Sequence, residues 1–319
     1  MMPVGAVSLT PWPTGILAWR PAFLTGLTRA ETAEVTLFAV GGMLLLLGAV
    51  IVTALRRWRQ VLTLPAPLEH AIEPVDLLVG LLAGVMLPSL FLSAAQLFAD
   101  AAAGTGRFAT TQVASAPAAE ALPSLARSIG QAAGQLATVL VLLTIGARRV
   151  PGGLSAWGLG LNRFGRRLAT AVLAFIALWP VCAGMLGLTR LFLEHVCGIN
   201  LPPAHVALLD LQSPEVGVWT KAVIAANAVL LAPLAEELFF RGLFQSAIAR
   251  WSRSPWIGVA AAGLLFGAMH ANVFDTMPTL AVFGAILAYT YARTNSLTLV
   301  ILIHAVFNGK NVLQALLGA

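Results

Sequence analysis

Two adjacent carboxylates and an arginine interrupt an apolar run in LAPLAEELFFRG, Leu231 to Gly242. A charged side chain at the centre of a bilayer costs about 2.5–3.5 kcal/mol on insertion scales, so three ionisable groups in one span need a role. Their spacing separates the roles. Glu237 and Arg241 are four residues apart, so they share a helix face and can pair. Glu236 is turned about 100° from its neighbour and is free to point elsewhere. A helix-locking ion pair accounts for Glu237 and Arg241 but leaves Glu236 unexplained. A second carboxylate placed where water is scarce suits general-base work.

His270, in FGAMHAN, lies 17 residues after Arg253, and Glu236 lies 17 residues before it. Antiparallel helices joined by a tight turn at Arg253 put both at about 25 Å of rise, so they can face each other. Read alone, His270 is as well explained as a hydrogen-bonded core histidine. His304 and Asn308, in LIHAVFNGKN, share one face of the last span. As a structural pair they would hydrogen-bond between helices. Measured from a turn at Asn295, His304 sits at only about 14 Å of rise, some 11 Å short of Glu236. Taken together, these windows supply a base, two imidazoles and an amide, an inventory that fits peptide hydrolysis. Glu236 with His270 would hold and deprotonate a water, while His304 and Asn308 would donate to the carbonyl oxygen as charge develops on it. Glu237 and Arg241 would support Glu236. No cofactor is required in that scheme. The competing chemistry is a divalent metal such as zinc, with Glu236, His270 and His304 as its ligands. The sequence has no HExxH, no ExxH of the di-iron kind and no GxSxG.

EELFFRG, FGAMH and HAVFN resemble the motifs EExxxR, FxxxH and HxxxN of the CAAX prenyl protease and bacteriocin-processing family of intramembrane proteases, also called the abortive-infection family. The resemblance covers roughly residues 220–312. LSAWGLGL, Leu154 to Leu161, also looks like a segment found upstream in such proteins. The resemblance implies an all-helical bundle whose active site opens to the membrane and to one aqueous side. It makes Glu236 the catalytic carboxylate and His270 its partner in activating water. His304 and Asn308 become the oxyanion side, with Glu237 and Arg241 in support. It leaves the choice between a metalloprotease and a metal-free, glutamate-dependent scheme open.

The elements that must position these residues are membrane helices. Of 319 residues, 59% are apolar and only 10% charged, and mean hydropathy is +0.87. A soluble domain carries about 25% charged residues. The periodicity predicts an all-α, polytopic bundle of about eight spans, near 35–55, 75–98, 126–146, 168–192, 219–249, 255–272, 276–293 and 296–317. Residues 1–125 read as an accessory region with two spans and a flexible loop at 99–125, and 126–319 as the protease bundle. The first span is expected to act as an uncleaved insertion signal. Arginines cluster at alternate span ends, which orients the helices and points to lipid rather than nucleic acid as the partner of a net charge of +6. Cys182 is expected as a buried free thiol, and His70 as a solvated loop residue. Asp76 is expected to cap the second span, and Phe266 to pack beside the site.

The reading is thus a multi-pass integral protein of a bacterial-type cell membrane. Its expected activity is that of an intramembrane endopeptidase acting on a membrane-associated peptide or protein. Two rival readings use the same residues: a non-catalytic immunity or scaffold protein held by a polar lock, and a transporter with a proton-coupled carboxylate.

Overall fold

The computed structural model describes residues 62–66, 70–102, 117–199 and 206–317, with positions 44, 48 and 52 besides. The expected first span, 35–55, lies almost wholly outside them. The described helices are α1 Pro74–Ala102, α2 Pro117–Arg149, α3 Gly153–Ala156, α4 Phe164–His195, α5 Val206–Gln212, α6 Val218–Trp251, α7 Pro255–Ala268, α8 Met277–Thr294 and α9 Leu297–Leu316. There is no strand among the described residues. The fold is all-α, as its composition requires.

Six of these helices, α1, α2, α4, α6, α8 and α9, contain segments long and apolar enough to cross a membrane. The count of about eight is therefore not reached among the described residues. One difference lies at 255–272, where α7 has 14 residues. That is about 21 Å of rise against a hydrocarbon core of about 30 Å. Ser254 and Pro255 start α7 in the expected way, Ser254 accepting from the Ile257 N–H. The helix then tightens into a 3₁₀ turn at Ala271–Thr276, and Val273 leaves helical geometry. A second difference is the 99–125 loop. Helix continues to Ala102 and resumes at Pro117, so only 103–116 remains between, outside the described residues.

α1 and α4 form the outer wall. Only 6% and 11% of their apolar windows are buried, against 39% for α8 and α9. Their exposed leucines, valines and phenylalanines face where lipid would be. The interior is a continuous cluster that includes Trp157, Leu238, Phe266, Phe283, Ile303 and Phe307. Cys182 is buried and free, as expected.

LSAWGLGL is the clasp of this interior. Trp157 is fully buried, and its indole Nε1–H donates to the Gly242 carbonyl at 3.0 Å. The ring lies where a Cβ on Gly146 or Gly242 would sit. Gly158 adopts φ +89°, and a Cβ there would stand 2.4 Å from the Asn295 carbonyl oxygen. Its own carbonyl accepts from the Thr298 N–H, and Asn295 Nδ2 donates to Ala156. The α8–α9 turn is thus fixed beside Gly242, about 16 Å of rise from Arg253. That removes the depth mismatch between His304 and Glu236, because the two turns are not level.

His70 corrects another expectation. It is 3% exposed rather than solvated. The Ile72 N–H donates to its Nδ1 at 3.2 Å, which requires an unprotonated Nδ1. Burial holds its pKa below the usual histidine value, and the Arg250 charge acts in the same direction. Asp76 does cap α1, accepting from the Glu73 N–H at 2.8 Å, and it also pairs with Arg149 at the end of α2.

Two outcomes are expected. Trp157→Ala should cost about 3–5 kcal/mol, read as a lower melting temperature in detergent, and Gly158→Ala should act in the same direction. A histidine buried neutral favours folding fully above its unfolded pKa. Melting temperature should therefore fall as pH drops below about 6.5, and His70→Gln should flatten that dependence.

Candidate active site

α6 carries the polar row on which the site is built. Its backbone widens into π-helix at Asn227–Leu231 and again at Leu238–Gln245, a distortion frequent at functional sites. Glu237 and Arg241 are both at 0% exposure, with Arg241 Nη1 donating to Glu237 Oε1 at 2.8 Å. The same oxygen stands 2.7 Å from His304 Nδ1 on α9. Arg241 Nη2 donates to the Gly284 carbonyl of α8 at 3.0 Å, and its guanidinium lies 4.9 Å from the Phe266 ring centroid on α7. One turn on, Gln245 Nε2 donates to the Ala288 carbonyl at 2.8 Å. Four helices meet on three side chains. The expected ion pair is present. Gln245 was missed in the sequence, although it continues the four-residue spacing from Arg241.

Glu236 points away from this lock, as its position on the helix predicts. Its side chain is 28% exposed, and its Oε2 is 3.8 Å from His304 Nε2. A carboxylate can only accept, so His304 Nδ1 carries a proton toward Glu237. Nε2 then faces Glu236, as a lone pair in the neutral ring or as an N–H in the protonated one. His270 is held in the same manner. Its own N–H bonds to Gly267, and its ring Nδ1 donates to the Phe266 carbonyl at 2.8 Å, which leaves Nε2 outside that bond. Phe266 is almost fully buried, and its ring is 5.1 Å from His270 and 5.7 Å from His304 between centroids. It packs beside the site, as expected.

The structure therefore brings together Glu236, Glu237, Arg241 and His304. His270 reaches the group through the Phe266 ring; among the described residues no ion pair joins it to either glutamate. The pairing expected for Glu236 was with His270, and the close neighbour found is His304. Depth counted from the chain turns does not reveal the Glu236–His304 contact, because the two turns are not level. Asn308 is one turn beyond His304, and its Nδ2 donates to the Ala228 carbonyl at 2.9 Å. Pro233, five residues after Ala228, has no N–H to offer that π-helical turn. Among the described residues the second amide hydrogen of Asn308 has no partner.

Of the three conditional metal ligands, Glu236 and His304 face one another and His270 stands apart. Among the described residues no group of three His, Cys, Asp or Glu side chains is placed to hold an ion. The ligand set is not preassembled in this arrangement.

Fold and helix composition define a multi-pass integral membrane protein. Residues 218–309, from the first turn of α6 to just past Asn308, match the family model described as Type II CAAX prenyl endopeptidase Rce1-like. That segment holds all three motifs, and the matched model is that of the family they resemble. No curated protein and no solved structure matches the chain.

Breaking the lock and breaking the outward carboxylate should differ. Arg241→Leu leaves Glu237 buried and uncompensated, which costs about 3–5 kcal/mol. Melting and size-exclusion profiles in detergent should show that loss, while Glu236→Gln leaves both unchanged.

Proposed function

We propose that this protein is an intramembrane endopeptidase that hydrolyses a peptide bond of a membrane-associated peptide or protein. One observation carries the reading. Glu236 is a partly exposed carboxylate aimed at the free nitrogen of an imidazole whose other nitrogen is fixed on a buried glutamate. That is the arrangement of a general base with an oriented partner.

In the proposed step, a water held between Glu236 and His304 gives a proton to Glu236 as its oxygen bonds to the peptide carbonyl carbon. The carbonyl π electrons move onto oxygen. His304 Nε2–H, in the protonated ring, and the second Asn308 amide hydrogen donate to that oxyanion. When the carbon–oxygen double bond re-forms, the carbon–nitrogen bond breaks. The amine leaves with the proton returned by Glu236. His270 presents Nε2 from the α7 side, as a second acceptor for the same water. Glu237 and Arg241 orient and do not react. A divalent metal bound at Glu236 and His304 would supply Lewis-acid polarisation of the water or carbonyl. The bundle over 126–319 is the catalytic unit in this proposal, with 1–125 accessory to it.

The pairs Arg241–Glu237 and His304–Glu237 form without Glu236, which is what a non-catalytic immunity or scaffold protein would need. One substitution separates the two readings. Purified protein in detergent micelles is given an internally quenched, farnesylated C-terminal CAAX peptide, the substrate class of the matched family. Glu236→Gln should lower turnover by about 10²–10⁴, the usual contribution of a positioned base. Unchanged turnover in Glu236→Gln, or an inert wild type, overturns the hydrolase reading.

A further inference from the structure

The turn joining α7 to α8 carries a charge that the proposed reaction does not use. Asp275 lies in Ala271–Thr276, five residues after His270, with its side chain at 0% exposure. Arg190, near the far end of α4, reaches it with both Nε and Nη2 at 2.8 Å from Oδ2. The other carboxylate oxygen, Oδ1, is buried with no hydrogen-bond partner among the described residues. Arg190 is 32% exposed and sits beyond the basic end of its own helix, on the side of the protein where basic residues are scarce. A charge there contradicts the orientation pattern and needs a local reason.

The reason lies in what Asp275 is attached to. The turn is stitched internally, Val273 N–H to His270 O at 2.9 Å and Thr276 Oγ to Val273 O at 2.7 Å. Val273 sits at φ −128°, ψ 65°, outside the helical region. A short, internally bonded bracket thus runs from His270 to Asp275, and the ion pair fixes its outer end to α4. At the inner end the Phe266 carbonyl fixes the imidazole rotation. We infer that Arg190 and Asp275 form a positioning pair that sets where His270 Nε2 stands. This inference rests on the hydrolase reading above. The pair touches no reacting atom, and its effect passes through His270.

The test uses the full-length protein in detergent micelles with the same farnesylated, internally quenched peptide. Asp275→Asn keeps the volume and removes the charge; Arg190→Gln does the same from the partly exposed side, so one variant remains informative if the other does not fold. Each should lower kcat by about tenfold or more, as expected when a catalytic group is misplaced by a fraction of an ångström to an ångström. KM should hold in both and melting temperature in Asp275→Asn, whereas Arg190→Gln, which leaves Asp275 buried and uncompensated, should melt lower; Arg190→Lys should retain most of kcat. In a His270→Ala background, followed by single turnover with enzyme in excess, Asp275→Asn should change the residual rate by less than about twofold. A full kcat in both single variants, or the same fractional loss with and without His270, overturns the positioning role. If Glu236→Gln is inactive while Asp275→Asn runs at full rate, the positioning role fails and the hydrolase reading stands. If Glu236→Gln cleaves normally, the hydrolase reading fails and the positioning role goes with it.

Discussion

One carboxylate oxygen organises this protein. Glu237 Oε1 is shared by Arg241 from its own helix and His304 from α9, and Arg241 extends the same group to α8. An ionised group in a membrane interior is costly unless it is paired and hydrogen-bonded. Satisfying Glu237 therefore fixes three helices at once. It also fixes the tautomer of His304, because the proton on Nδ1 is committed to Glu237. The chemistry available at Nε2 follows from that commitment.

The division of labour between two adjacent glutamates depends on this. A helix turns about 100° per residue, so the two neighbours meet His304 at different nitrogens, Glu237 at Nδ1 and Glu236 at Nε2. Glu237 is spent on structure at 0% exposure, and Glu236 keeps 28% of its side chain open. Reactivity needs an open carboxylate and rigidity needs a closed one. The pair of residues places an open and a closed carboxylate within a single turn of α6.

The helical class, the Glu237–Arg241 pair, the outward turn of Glu236 and the packing of Phe266 were legible in the sequence because each depends on local periodicity. Partner choice across helices was not. His304 rather than His270 stands against Glu236, since the Asn295 turn is held at the level of Gly242 by Trp157 and Gly158. Nothing in the spacing of His304 and Asn295 reveals that offset. α7 was read as a full span because apolar residues continue past Ala268, although the backbone has already left the helix there. His70 misled for a related reason. A loop composition suggested solvent, and tertiary packing against α6 buried it. Arg190 and Asp275 were visible as charges, but their pairing joins residues 85 positions apart.

The clasp made by Trp157 has a further consequence for modularity. The recognisable signature, 218–309, receives its register from a tryptophan and a glycine that precede it by about sixty residues, and the turn beside His270 is tied by an arginine that also lies upstream. The stretch that matches the family model and the stretch tied together by tertiary contacts thus have different borders. Excising the signature would discard the residues that align it.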